Sequence, residues 1–182
     1  MTKIDPATSA LVLVDLQERI VTLPTTPYSG EEVVANSLRL RNAFRKAGAP
    51  VVIVQVSRPD NPPGSELVFD AQDDKIVTKY TIGGFAGTDL DDFLRGAGVR
   101  TVVFGGIATE FGVESTLRAA ADHGYETVAV SDAMTALSEI SHENAITKIF
   151  PRLGTVVTTD EALAGLARST RSPGCTSSTA GS

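Results

Sequence analysis

The chain has 182 residues, is 42% hydrophobic and carries a formal net charge of −6, the profile of one globular domain long enough to bury a sizeable core. An acidic balance without any basic run excludes an electrostatic surface for nucleic acid or anionic membranes. No apolar run approaches the ~18 residues of a membrane helix, and the opening MTKIDPATS lacks the charged-then-apolar layout of a signal peptide, so a soluble cytoplasmic protein is expected.

Ala10–Leu16, ALVLVDL, is a short valine-bearing apolar run ending in an acid, and it reads as a buried strand with Asp15 at its carboxyl end. A carboxylate there is costly unless partnered, so Asp15 is either a structural hydrogen-bonder or a functional acid or base. Residues 21–30 hold Pro24, Pro27 and Gly30 and read as a loop. Ser29 then caps a helix with Glu31 and Glu32 in its first turn and Arg45 and Lys46 before Gly48. Those charges match the helix dipole at both ends. Pro50–Val56 is a second buried strand, and SRPDNPPGSELVFDAQDD after it is a long loop over the carboxyl edge of the sheet. Arg58, its only cation before Lys75, is either a solvated loop residue or a partner for a substrate carboxylate.

Lys75–Lys79 is a short strand, after which Thr88 caps a helix burying Leu90, Phe93 and Leu94. Val99 to Phe104 has the pattern of a strand covered on both faces, and Gly105-Gly106 is expected to break it. Thr109 is expected to cap the next helix, starting at 109–111, on which Val113, Leu117 and Ala120 recur at helical spacing. A helix start at the carboxyl end of a buried parallel strand is where open α/β sheets place ligands. Glu126–Ser131 is the next strand, ended by Asp132. Ser138 or Ser141 opens a helix to Phe150, Leu153–Val157 is a last strand, and Thr159 caps a terminal helix to Arg168. This alternation predicts a three-layer α/β/α domain over residues 1–168 with a doubly wound, mostly parallel, Rossmann-like sheet. Residues 169–182 read as a flexible Ser/Thr/Gly-rich tail. It holds the single cysteine, Cys175, an incidental thiol that excludes an internal disulfide framework.

The stretch GIATEFGVESTLRAAADHGYETVAVSDAM resembles the signature of the isochorismatase-like (cysteine hydrolase) superfamily, where a Gly-x-x-Thr-x-x-Cys-Val turn puts a nucleophile on the first turn of the helix. In this chain that position is Gly112. Val14-Asp15-Leu16-Gln17 matches the superfamily's first motif, an apolar strand followed by Asp-x-Gln. Lys79, Phe85, Gly87, Thr88 and Leu90 match its second, a lysine before an aromatic-glycine loop and Gly-Thr-x-Leu. The resemblance is greatest to a glycine-bearing subgroup lacking the nucleophilic cysteine. It implies that Asp15, Lys79 and Gly112 form the catalytic set. Gln17, Arg58, Phe85, Ile107, Ala108, Thr109 and Phe111 would line the substrate site, Phe85 alternatively being plain core. It also implies a cis peptide between Ile107 and Ala108, a small-molecule substrate and a homo-oligomer. The nicotinamidase branch holds a metal with an Asp and His cluster after its second strand. That region has no histidine here, and His123 and His142 fall far along the chain, so no metal and no cofactor is expected.

Glycine at 112 cannot attack a carbonyl, which leaves three readings. In the first, a small anionic vinyl ether of the isochorismate type is hydrolysed with release of pyruvate, Asp15 acting as general acid without a covalent intermediate. In the second, Asp15 activates water against an amide or ester. In the third, the protein is catalytically silent and binds a small metabolite. One tension attends the first, because a nearby lysine lowers the pKa of a carboxyl group whereas a general acid needs it raised.

Overall fold

The computed structural model describes residues 2–169. Six strands, β1 (Ser9–Val14), β2 (Val51–Val56), β3 (Lys75–Lys79), β4 (Thr101–Ile107), β5 (Glu126–Thr135) and β6 (Gly154–Val157), form one parallel sheet in the order β3-β2-β1-β4-β5-β6. The helices are α1 (Glu18–Val21), α2 (Gly30–Lys46), α3 (Leu90–Gly96), α4 (Glu114–Asp122), α5 (Glu139–Asn144) and α6 (Thr159–Ser169). A wide turn of π-helical form, Thr109–Val113, runs directly into α4.

The period-2 alternation of β1 divides its side chains between two cores. Leu11 and Leu13 pack with Val33, Leu40 and Phe44 of α2 and Leu166 of α6. Ala10, Val12 and Val14 pack with Leu90 and Leu94 of α3 and Leu117 and Ala120 of α4. Both faces of the sheet are therefore covered, which is why β1 reads as an unbroken apolar run. Ser29 caps α2 as the sequence indicates: its Oγ accepts from the Glu32 N–H at 3.2 Å while the Glu32 carboxylate accepts from the Ser29 N–H at 2.8 Å.

The structure departs from the sequence reading at element ends. β4 does not break at Gly105-Gly106 but continues to Ile107. Gly106 adopts φ +127°, and a Cβ on it would lie 2.1 Å from the Val14 carbonyl oxygen. Glycine there permits the close pairing of β1 with β4 and does not stop it. β5 runs through Asp132 to Thr135, with a register shift opposite Phe104 and Gly106. Asp132 accepts instead from the N–H and hydroxyl of Thr159. The cap of α6 falls one residue earlier than expected, on Thr158, whose hydroxyl accepts from the Glu161 N–H at 3.3 Å. The expected tail lies, beyond Ser169 at the end of α6, outside the described residues, and so does Cys175. No described helix is long and apolar enough to cross a membrane.

Candidate active site

The strand order reverses direction between β1 and β4, and the crevice beyond their carboxyl ends is where this architecture collects ligand-binding groups. Asp15 is the first residue past β1. Its N–H donates to the Val54 carbonyl of β2 at 2.8 Å, and its φ of +55° turns the chain abruptly out of the sheet. Aspartate tolerates that left-handed conformation better than most residues. Lys79 ends β3 and extends across the edge of β2, so that its Nζ lies 2.9 Å from Asp15 Oδ2. The same ammonium donates to the Ile82 carbonyl. Both side chains are buried, Lys79 at 1% exposure and Asp15 at 7%.

Position 112 closes the cluster. A Cβ built on Gly112 would lie 2.8 Å from Asp15 Oδ2, 3.0 Å from Lys79 Nζ and 3.1 Å from Val14 Cγ1. The acid and the ammonium thus occupy the space into which any side chain at 112 would begin to grow. The peptide between Ile107 and Ala108, just ahead of the wide turn, is cis.

Burial raises the pKa of Asp15 above its ordinary value, the attraction of Lys79 and, more weakly, of Arg19 acting against it. Desolvation outweighs the neighbouring cations, so the protonated form is favoured more than at the surface. Asp15 Oδ1 has no hydrogen-bond partner among the described residues.

Beside the pair opens a cavity of about 450 Å³ lined by Asp15, Arg58, Lys79, Ile107, Ala108, Phe111 and Gly112 among others. Its rim is apolar: Leu23, Tyr80, Ile82, Phe111 and Leu137 all line it and remain exposed. Three of the expected site residues do not line it. Gln17 is 1% exposed and is a structural tie, its amide donating to the Val56 and Ser65 carbonyls at 3.1 and 2.6 Å and accepting from the Val56 N–H at 2.9 Å. It fastens the long loop after β2 to the end of that strand. Phe85 is core, stacked on His123 with ring centroids 5.0 Å apart. Thr109 is fully buried, and in place of capping a helix its hydroxyl pairs with His142 Nδ1 at 3.0 Å. Both histidines are thereby engaged away from the cavity, and among the described residues no group of three or more His, Cys, Asp or Glu is placed to hold a metal ion.

Arg19 also lines the cavity, from α1, and sequence reasoning passed over it. A search for cations within a helical turn of a strand's carboxyl end would have found it, four residues beyond Asp15. Arg19, Arg58 and Lys79 place three cations around one acid in a chain of net charge −6.

Fold and site together define a doubly wound α/β protein with a buried Asp–Lys pair at its topological switch point. Residues 9–161 match the isochorismatase domain model, and the chain belongs to that family of hydrolases. It is 35% identical to the isochorismatase family protein YecD of Escherichia coli O157:H7, over 91% of this chain and 100% of that one. An isochorismatase family protein from Burkholderia thailandensis superposes with a TM-score of 0.87 at 39% identity, covering 92% of this chain and 99% of the other. N-carbamoylsarcosine amidase from Thermoplasma acidophilum superposes with a TM-score of 0.74 at 29% identity, covering 84% and 97%.

Proposed function

We propose that this hydrolase cleaves a small anionic vinyl ether of the isochorismate type, with Asp15 as general acid and no covalent enzyme intermediate. Protonated Asp15 delivers its proton to the terminal methylene carbon, and the electron pair of the C=C bond forms the new C–H bond. The cation left on the neighbouring carbon is stabilised by its ether oxygen. Water adds to that carbon and returns a proton to Asp15. The resulting hemiketal collapses to pyruvate and an alcohol, so one water is consumed in all. Lys79 holds the carboxyl group through Oδ2, and glycine at 112 leaves room for that Asp15–Lys79 pair, which a side chain there would displace.

The observation that carries this reading is the buried Asp15 carboxyl group lining the cavity, 2.9 Å from Lys79 and with Oδ1 unpartnered among the described residues; its burial pushes the pKa upward. A general acid at neutral pH needs that direction. The test is pyruvate release from isochorismate, coupled to lactate dehydrogenase. Wild-type protein is expected to release pyruvate and Asp15→Asn to lose the activity; no release by wild type at any concentration removes isochorismate as the substrate.

The second reading, amide hydrolysis by water that Asp15 activates, is favoured by the likeness to N-carbamoylsarcosine amidase. It requires Asp15 ionised, and ammonia release from a panel of carbamoyl and amide compounds would support it.

A further inference from the structure

Arg19 lines the cavity, and one edge of its charged end has no partner among the described residues. Arg19 Nε and Nη2 are buried and have no hydrogen-bond partner among the described residues. These two nitrogens form one edge of the guanidinium, the edge that grips a carboxylate through two parallel hydrogen bonds. The cavity's own carboxylate, on Asp15, is held by Lys79 through Oδ2, and no ion pair joins Asp15 to Arg19. A buried donor left without an acceptor is destabilising, and a cation more so than a neutral group. Such an edge survives in a folded protein where a ligand completes it.

We propose that Arg19 is the carboxylate anchor of this site: its Nε and Nη2 edge takes a planar carboxylate of the substrate in a two-point contact and turns the reacting carbon toward Asp15. The inference rests on the anionic-substrate reading above but not on vinyl ether chemistry. Exposed Arg58, which also lines the cavity, adds field; Arg19 selects the shape. A spherical anion such as chloride offers both N–H groups one shared acceptor, whereas a carboxylate gives each its own oxygen in line, so the edge favours carboxylate over mere negative charge. Arg19 thereby positions substrate and takes no part in proton transfer.

Calorimetric titration of the intact protein with pyruvate and with benzoate, each against its own amide, reads this directly. Wild type is expected to prefer the acid by about 10- to 100-fold, the span of a charge-assisted two-point contact. Arg19→Gln abolishes the preference, and Arg19→Lys, which keeps the charge but loses the fork, restores only part of it. Where pyruvate release is measurable, Arg19→Gln raises KM far more than it lowers kcat. Because the guanidinium edge is unpartnered without ligand, Arg19→Gln should melt no lower than wild type, whereas a structural role would lower the melting temperature. Acid and amide binding equally to wild type, the acid preference surviving in Arg19→Gln, or no binding of either acid overturns the proposal. Carboxylate binding that depends on Arg19 in a protein that releases no pyruvate would sink the vinyl ether reading and leave this one standing.

Discussion

Adding one methyl group at position 112 should damage the site more than its size suggests. In a helical segment, replacing glycine by alanine ordinarily stabilises by roughly 0.5–1 kcal/mol, because alanine has less backbone freedom to lose. At Gly112 the new Cβ meets Asp15 Oδ2 at 2.8 Å and Lys79 Nζ at 3.0 Å. The lysine end can swing, but the short aspartate side chain cannot move without giving up its 2.9 Å contact with that lysine, and Val14 Cγ1 at 3.1 Å blocks a third direction. Overpacking of this kind costs about 1–3 kcal/mol. It exceeds the helical gain, so Gly112→Ala should be destabilised by roughly 0.5–2 kcal/mol, a drop of about 1–8 °C in melting temperature for a chain of this size. Gly96→Ala at the end of α3 is the control, since a Cβ there meets nothing within 4 Å and only the favourable change remains. Scanning calorimetry on both variants should give opposite signs, and pyruvate release should fail in Gly112→Ala alone. If Gly112→Ala melts as high as wild type or higher, the space at 112 is open and the reasoning is wrong. The same geometry bears on Gly112→Cys, which brings in the identical Cβ before its thiol. Acyl transfer therefore takes more than restoring the sulfur.

Two further expectations concern pH. Burial holds the Asp15 pKa above 3.8, so in the window starting there the native state keeps a proton that the unfolded chain has lost. The contribution of Asp15 to stability is complete below that window and declines as pH rises through it. Thermal denaturation should show wild type losing ground to Asp15→Asn with rising pH, and pyruvate release should fall over the same range; amide activity that rises with pH would mark the ionised carboxylate as the working form. His142, buried against Thr109 and Tyr28, has its pKa lowered by desolvation from 6.5. Its contribution is complete above 6.5 and is lost as pH falls below it, so stability should drop on mild acidification in wild type and less in His142→Gln, equal slopes counting against the assignment.

The sequence discloses the layers because each strand's apolar run is long enough to be buried on both sides and each helix carries its own punctuation, as with Ser29 and the capping box of α2. It conceals whatever depends on a distant partner. Thr109 and Thr159 both look like caps from their neighbours, yet each spends its hydroxyl on a residue far along the chain, His142 and Asp132. Gly105-Gly106 reads as a strand breaker until the Val14 carbonyl is seen 2.1 Å from where a Cβ would stand on Gly106. At the site, Asp15, Lys79 and Gly112 were visible through their motifs, and the structure brings these three together. Gln17 belongs to the same motif as Asp15 but faces the loop over β2, because side chains two residues apart no longer share a face once the chain leaves the sheet at Asp15. The place of Arg19, four residues past Asp15, is legible in the sequence, but its unpartnered edge is not, being a property of what surrounds it.

The buried Asp15–Lys79 pair also weighs against a silent binding protein. Desolvating an ammonium and a carboxyl group together is expensive, and their attraction repays it only when every remaining lone pair and proton is satisfied. Here one is not, since Asp15 Oδ1 has no partner. Apolar residues of similar volume at 15 and 79 would serve a scaffold at least as well. Nor would ligand affinity require the pair, because Arg19 and Arg58 line the same cavity and an anion would be repelled by an ionised Asp15. A carboxyl group kept among cations, its pKa raised by burial from the ordinary value, opposes anion binding when ionised and does not when protonated. That coupling is of little use to a receptor and is what the proposed proton donor needs: an incoming negative charge would raise the carboxyl pKa further and keep the proton in place for the substrate's carbon.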